Sequence, residues 1–326
     1  MDSPPTTAAA PWAAVVAHYD VDGRVAEHLQ RTVRLLQQRG ATVCFVSTRL
    51  SDAAAAQLAP HAQVIRRDNV GYDFWSYKVG IDALGLPGAF DRLLLLNSSM
   101  VVTDPARLLD RHLALAPQTD VLGLTLSHEV QPHLQSFWLG FERAALHSAA
   151  FAQWWQTMQP LSDREAVIAQ QELGLSAHFA RAGLRLGALH RPSRADQLRA
   201  VLRAVDNGFL PFDAGSDGPV AIDPAWAERL NPTMYAWDSV FAQLGVLKLE
   251  LLKRNPHRIN LSALRDRLVR DPALQHLLQD AGVSTPSLLG DPPKLSLAQN
   301  LKAFDPSLHA GEVAASGLVG AEKLDG

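Results

Sequence analysis

Apolar positions along this chain fall into short continuous runs separated by segments with helical spacing. Trp12 to Ala17 is an apolar run that ends in His18, Tyr19 and Asp20. Val25, Leu29, Val33 and Leu36 then recur at helical spacing as far as Gly40, a residue type that commonly ends helices. Thr42 to Ser47 predicts a second strand, Ser51 to Leu58 an alanine-rich helix, and Val64 with Ile65 a short third strand. The most pronounced run, Leu93 to Leu96, stops abruptly at Asn97, Ser98 and Ser99. A continuous apolar run bounded by polar residues suits a central parallel strand covered on both faces. Alternation of such strands with helices predicts an α/β protein, a mostly parallel sheet flanked by helices.

Beyond the central strand the pattern predicts a helix from about Pro105 to Leu115, a strand from Val121 to Leu126 and an aromatic-bearing segment from His133 to Phe141. A helix from Glu142 to Met158 carries Trp154 and Trp155. Ser162 and Glu165 have the spacing of a capping box at the next helix start. Leu184 to Leu189 predicts the last strand, and Arg194 to Asn207 a helix. A glycine- and proline-rich crossing follows, and from Asn231 onward the pattern is helical. The expected organisation is a flexible lead over 1–11, an α/β core over 12–192, a C-terminal helical appendage over 193–285 and an irregular tail over 286–326.

Composition narrows the function classes. Of 326 residues, 47% are hydrophobic and 19% charged, as suits a globular chain, and the net charge of -3 argues against a nucleic-acid partner. The single cysteine, Cys44, excludes an intrachain disulfide and a Cys-based zinc cluster, and its setting VCFV predicts a buried thiol. No apolar stretch reaches the length of a membrane span. The opening MDSPPTTAAAP lacks the plan of a secretory signal. Cytoplasmic residence is expected, with peripheral attachment at the inner membrane left open. There is no Walker-type phosphate loop, dinucleotide glycine fingerprint, HExxH zinc motif or nucleophile elbow.

In open α/β sheets, ligands bind at the carboxyl ends of the strands. Asn97, Ser98 and Ser99 lie at such an end, as ligand groups or as caps of the following turn. Asn69, Gly71 and Asp73 lie in the connection beyond the third strand; Gly71 permits a positive φ or a close approach, and Asp73 is either a ligand group or a helix cap. His18 and Tyr19 follow the first strand, suited to nucleotide contacts or to local packing. Trp138, with Gly140 two residues on, either fills the sheet core or lines an acceptor platform. Glu172, near the Leu173, Leu175 and Phe179 face, is a catalytic carboxylate, or else a solvent-facing or ion-paired one. Lys248, Lys253, Arg254, His257 and Arg258 read as the solvated basic face of a helix, with an anionic membrane surface or a lipid-linked phosphate as the alternative.

Four stretches occur in an order that carries a resemblance: DNVGYDFWSYKVG (68–80), the LLLLNSS strand end, QELGLSAHFARAG (171–183) and NPTMYAWDSVFAQLGVLKLELLKRNP (231–256). With them the chain resembles the rhamnan-synthesis F family of bacterial polysaccharide-building proteins, related to nucleotide-sugar glycosyltransferases of the GT-A fold. The resemblance spans about Ala14 to Asn255. It implies transfer of a deoxyhexose, often rhamnose, from a nucleotide-sugar donor such as dTDP-rhamnose or a GDP-sugar to a surface glycan or lipid-linked glycan. A noncatalytic glycan-binding or assembly protein on the same scaffold is the alternative. The resemblance places Asn69, Gly71 and Asp73 in the donor pocket and Glu172 where inverting members carry an acidic residue. Asn97, Ser98 and Ser99 fall where related enzymes carry an acidic metal motif. Mg²⁺ and Mn²⁺ favour carboxylate oxygens, so no metal is expected at this neutral triad unless Asp104, otherwise a helix N-cap, folds back to supply one. Arg67 and Lys78 are then the expected phosphate contacts. Arg67 pairing with Asp68, and Lys78 as an exposed helix lysine, are the alternatives.

Overall fold

The computed structural model describes residues 10–210 and 224–284. The expected tail over 286–326, most of the expected lead and part of the glycine- and proline-rich crossing lie outside the described residues.

Eleven strands are present among the described residues: β1 (Trp12–His18), β2 (Ala41–Ser47), β3 (Gln63–Arg66), β4 (Arg92–Asn97), β5 (Met100–Val102), β6 (Val121–Gly123), β7 (Leu126–Ser127), β8 (His133–Leu134), β9 (Trp138–Glu142), β10 (Leu186–Ala188) and β11 (Val246–Lys248). Seven form the main sheet in the order β3-β2-β1-β4-β9-β6-β10. All its pairings are parallel except those of β9, which runs antiparallel to both β4 and β6. This is the mostly parallel sheet that the pattern of runs predicts, GT-A-like as the resemblance implies, with a helical segment at the C-terminal side.

Alternation along the central strands sends successive side chains to opposite faces, and each face builds its own core. Ala14, Val16, Leu94 and Leu96 pack with Leu29, Val33 and Leu36 of the helix Glu27–Gln38 and with Leu108 and Leu109 of Pro105–Leu115. Ala13, Val15, Leu93 and Leu95 pack on the other side, against the helices Tyr72–Ala83, Ala149–Thr157 and Leu173–Arg181. Leu93 to Leu96 are at most 1% exposed, and each such burial contributes about 1.5–3 kcal/mol. Cys44 is buried and unpaired, and burial pushes its thiol up to about 12.

A third core joins Ala200, Val201 and Ala204 to Tyr235, Trp237, Leu251, Leu264 and Leu278. This helical part is stitched to the sheet layer. β11 pairs antiparallel with β5, Lys248 opposite Met100, and Leu249 N donates to Ser99 O at 2.9 Å.

Three local expectations are corrected. Helix Glu142–Met158 is two helices, Arg143–Leu146 and Ala149–Thr157, because Ser148 caps the second by accepting from Phe151 N. The Val121–Leu126 strand divides into β6 and β7. The capping box of Ser162 and Glu165 does not form, since Asp163 is the cap and accepts from Ala166 N at 2.7 Å.

A two-chambered cleft at the carboxyl edge of the sheet

In the sheet order, the chain runs outward from β1 through β2 and β3 on one side and through β4 on the other. β1 and β4 therefore border the topological switch point, where open α/β sheets bind ligands. The parallel register aligns His18 with Ser47, and Ala17 with Asn97, at this edge. Ser98 N donates to Ala17 O and Tyr19 N to Ser98 Oγ, so the two loops that leave these strands are tied together.

Two cavities open here. The outer, about 410 Å³, is lined by His18, Tyr19, Thr48, Asn69, Tyr72, Asp73, Ser76, Ser98 and Ser99. The inner, about 730 Å³, includes Asn97, Ser136, Glu172, Lys248, Arg164, Glu250 and Arg254 in its wall. Tyr19, Tyr72, Asp73 and Ser99 line both and mark where they meet. Volumes of this order are typical of small-molecule sites.

The loop 67–72 owes its shape to Arg67. Its guanidinium donates to the carbonyls of Asp68, Val70 and Tyr72 and to Ser76 Oγ, and burial lowers its pKa. Gly71 follows at φ 73°, and a Cβ there would lie 2.6 Å from Trp75 Cβ and 2.9 Å from Pro160 Cβ. Tyr72 is also left-handed, at φ 51°, a conformation costly for a non-glycine residue and frequent at functional sites. The turn delivers Asp73 to the cleft floor instead of to a helix cap. Asp73 Oδ2 accepts from Asn97 Nδ2 at 2.7 Å. Burial pushes this carboxyl up to about 6, against the pull of Lys248, and the charge of Glu172 adds to the rise.

Glu172 ends a π-helical turn, Val167–Glu172, that runs directly into the helix Leu173–Arg181. Such turns are often found at functional sites. Its Oε1 accepts from Ser136 N at 2.9 Å and Ser136 Oγ at 3.1 Å, while Oε2 accepts no hydrogen bond from the described residues. The Tyr77 hydroxyl donates to Ser136 O at 2.9 Å and steadies this support from behind.

The structure thus brings His18, Tyr19, Asn69, Asp73, Asn97, Ser98, Ser99 and Glu172 to two adjoining cavities that share Tyr19, Tyr72, Asp73 and Ser99 in their walls. His18 is 3% exposed, bonded to Ser47 Oγ and Arg24 O, and burial pushes it down to about 4. Other expected residues line neither chamber. Arg67 and Gly71 shape the loop from behind. Lys78 pairs with Asp82 on its own helix. Asp104 caps Pro105–Leu115 by accepting from Arg107 N at 3.0 Å. Trp138 is fully buried and donates to His112 Nδ1 at 3.2 Å, and a Cβ on Gly140 would lie 2.3 Å from His112 Cε1. These two residues therefore answer to the packing of His112, not to the cleft.

Ser136 and Lys248 are among the wall residues that the sequence did not mark as cleft residues. Ser136 carried no signal of its own. Lys248 was read as part of a solvated basic face, but it closes β11, and its Nζ donates to Ser99 Oγ at 2.9 Å and lies 4.0 Å from the Phe137 ring centroid.

The strand end does not fit a divalent metal. Asn97 Oδ1 already accepts from Ser99 N and Ser99 Oγ, Asn97 Nδ2 is committed to Asp73, and Ser99 Oγ accepts a hydrogen bond from the Lys248 ammonium. A hard dication needs free oxygen ligands, and this set offers a cation in their midst. Among the described residues no group of three or more His, Cys, Asp or Glu is placed to hold a metal, and no helix is long and apolar enough to cross a membrane.

Comparison with known proteins places the chain. The virulence protein VirA of Vibrio anguillarum is 28% identical over 200 residues, 59% of this chain and 62% of that protein. An uncharacterized protein of Sinorhizobium fredii, y4gN, is 26% identical over 136 residues, 40% of this chain and 35% of its own. The chain thus matches less than two thirds of the length of either relative. Among solved structures, glucosyl-3-phosphoglycerate synthase of Mycobacterium tuberculosis, in complex with Mn²⁺ and UDP-glucose, is similar at a TM-score of 0.38 and 14% identity, covering 62% of this chain and 78% of that one. Residues 43–205, half of the chain and the span from β2 to beyond β10, match the model of RgpF, rhamnan synthesis protein F, and the chain belongs to that family.

Proposed function

We propose that this protein is a nucleotide-sugar glycosyltransferase that moves a deoxyhexose, rhamnose in keeping with the family's description, onto a bacterial surface-polysaccharide acceptor with inversion. The observation that carries the reading is the shared wall: Glu172, whose Oε2 accepts no hydrogen bond from the described residues, lines the same cavity as the strand-end residues Asn97 and Ser99, and that cavity shares Tyr19, Tyr72, Asp73 and Ser99 with its neighbour.

The outer chamber suits the nucleotide. Tyr19 and Tyr72 are 51% and 45% exposed, and their rings offer apolar faces with polar tips for a base or ribose, beside Asn69 and Ser98. The sugar then lies at the meeting of the chambers, and the glycan, free or lipid-linked, enters the inner one. Glu172 accepts the proton of the attacking hydroxyl as that oxygen bonds to the anomeric carbon. The bond to the diphosphate breaks on the opposite face, and its electron pair stays with the leaving phosphate oxygen. Ser136 fixes Glu172 Oε1 and leaves Oε2 to act, an arrangement that general-base catalysis requires.

The test is a titration with dTDP-, GDP- and UDP-sugars followed by incubation with glycan acceptors. The expected outcome is saturable binding of one donor class, release of its nucleoside diphosphate and a product of inverted anomeric configuration. Glycan binding with no nucleotide release across the panel would establish the noncatalytic alternative instead.

A further inference from the structure

Lys248 brings to the cleft an ammonium whose N–H donors the described residues do not saturate. An ammonium has three N–H donors. Among the described residues this one makes a single hydrogen bond, to Ser99 Oγ, together with its contact to the Phe137 ring, and no ion pair. Asp73, Glu172 and Glu250 act on it only at longer range: Asp73 Oδ2 is bonded to Asn97, Glu172 Oε1 to Ser136, and Glu250 pairs with Arg164 and Arg254. Two of the Lys248 N–H groups therefore have no acceptor among the described residues and are available to an anion. Their position is defined by main chain on both sides, through the pairing of β11 with β5 and the bond from Leu249 N to Ser99 O. They stand beside Ser99, which lines both chambers, at the strand end whose oxygens do not fit a divalent ion.

The geometry points to Lys248 as the fixed cation that receives the diphosphate of the donor in place of a divalent metal; this rests on the transferase reading above. As the bond from the anomeric carbon to the diphosphate breaks, negative charge grows on the departing phosphate oxygen. A donor already oriented toward that position stabilises it without reorganisation. Lys248 stays protonated throughout, since the acceptor's proton goes to Glu172. Burial lowers the pKa of the ammonium while the fields of Glu172, Glu250 and Asp73 hold it up. A purely structural counter-ion would alter stability but would not separate diphosphate from nucleoside.

Calorimetric titration of the full chain tests this with inorganic pyrophosphate, a nucleoside diphosphate and the matching nucleoside, each in EDTA and in Mg²⁺. The wild type is expected to bind the diphosphate equally well in both buffers. Lys248→Met is expected to weaken pyrophosphate and diphosphate by about 10–100-fold while nucleoside affinity stays unchanged, which also reports that the variant is folded; Lys248→Arg regains most of the loss. Diphosphate binding that requires Mg²⁺ overturns the inference and leaves the transferase reading standing. Equal loss of nucleoside and diphosphate in Lys248→Met, or no loss of either, also overturns it. A wild type that binds no nucleoside diphosphate overturns both.

Discussion

At the scale of residues, burial sets the charge states and gives the protein a definite response to acid. Histidines 18, 28, 112 and 190 are all buried, and desolvation pushes them down from the ordinary 6.5 to about 4, 4, 3 and 4. The unfolded chain takes up these protons below pH 6.5 and the folded chain does not. Their contribution is therefore complete above about 6.5 and is lost as the pH falls toward 4, on the order of 3 kcal/mol for each fully shifted group. Asp73 has the opposite sign: its raised pKa favours the folded state below about 4, and that advantage is lost as the pH rises through 6. Four groups outweigh one, so the denaturant midpoint should be lower at pH 5.0 than at pH 7.5. A midpoint unchanged or higher at pH 5.0 would contradict this balance.

At the scale of elements, the turn between β3 and the helix Tyr72–Ala83 is the most constrained part of the site. Gly71→Ala adds a methyl group at φ 73° against Trp75 and Pro160. It should destabilise the fold by about 1–3 kcal/mol and weaken donor binding by displacing Tyr72 and Asp73, as read by denaturation and nucleotide titration; wild-type stability and binding would refute the account of the turn. Most of this element was legible in the chain: a run ending at Ile65, a glycine, then helical spacing. That Gly71 shapes the loop without lining the cleft was not, because the Cβ clash involves Pro160, far away in sequence. Lys248 was hidden for the same kind of reason. Residues 246–253 have enough Leu, Lys and Glu to read as one amphipathic helix, yet pairing with β5 draws Val246–Lys248 into a strand and turns the lysine toward Ser99, 149 positions away. Trp138 and Gly140 show the converse. Their types left a sheet-core role and an acceptor platform both open, and a helix packed across the sheet supplies the His112 that accounts for both as core residues.

At the scale of the whole molecule, order along the chain fixes the place of the site more firmly than any one motif does. Alternating strands and helices are enough to anticipate a mostly parallel sheet, the family resemblance adds its GT-A-like form, and a switch point between β1 and β4 follows from the observed order. Three separated segments meet there: the loop after β3, the end of β4 and the turn carrying Glu172. The helical part adds a fourth through β11 and so completes the wall of the inner chamber. The family match over residues 43–205 covers the first three segments and leaves Lys248 outside it.

The central claim is that Glu172 removes the acceptor proton in a cleft that holds an activated sugar, and single-turnover transfer by Glu172→Gln, with donor affinity measured in parallel, tests it most directly. The account predicts a fall in transfer of roughly 10²–10⁴-fold with donor affinity retained. Transfer at the wild-type rate by a variant that binds donor normally would contradict it.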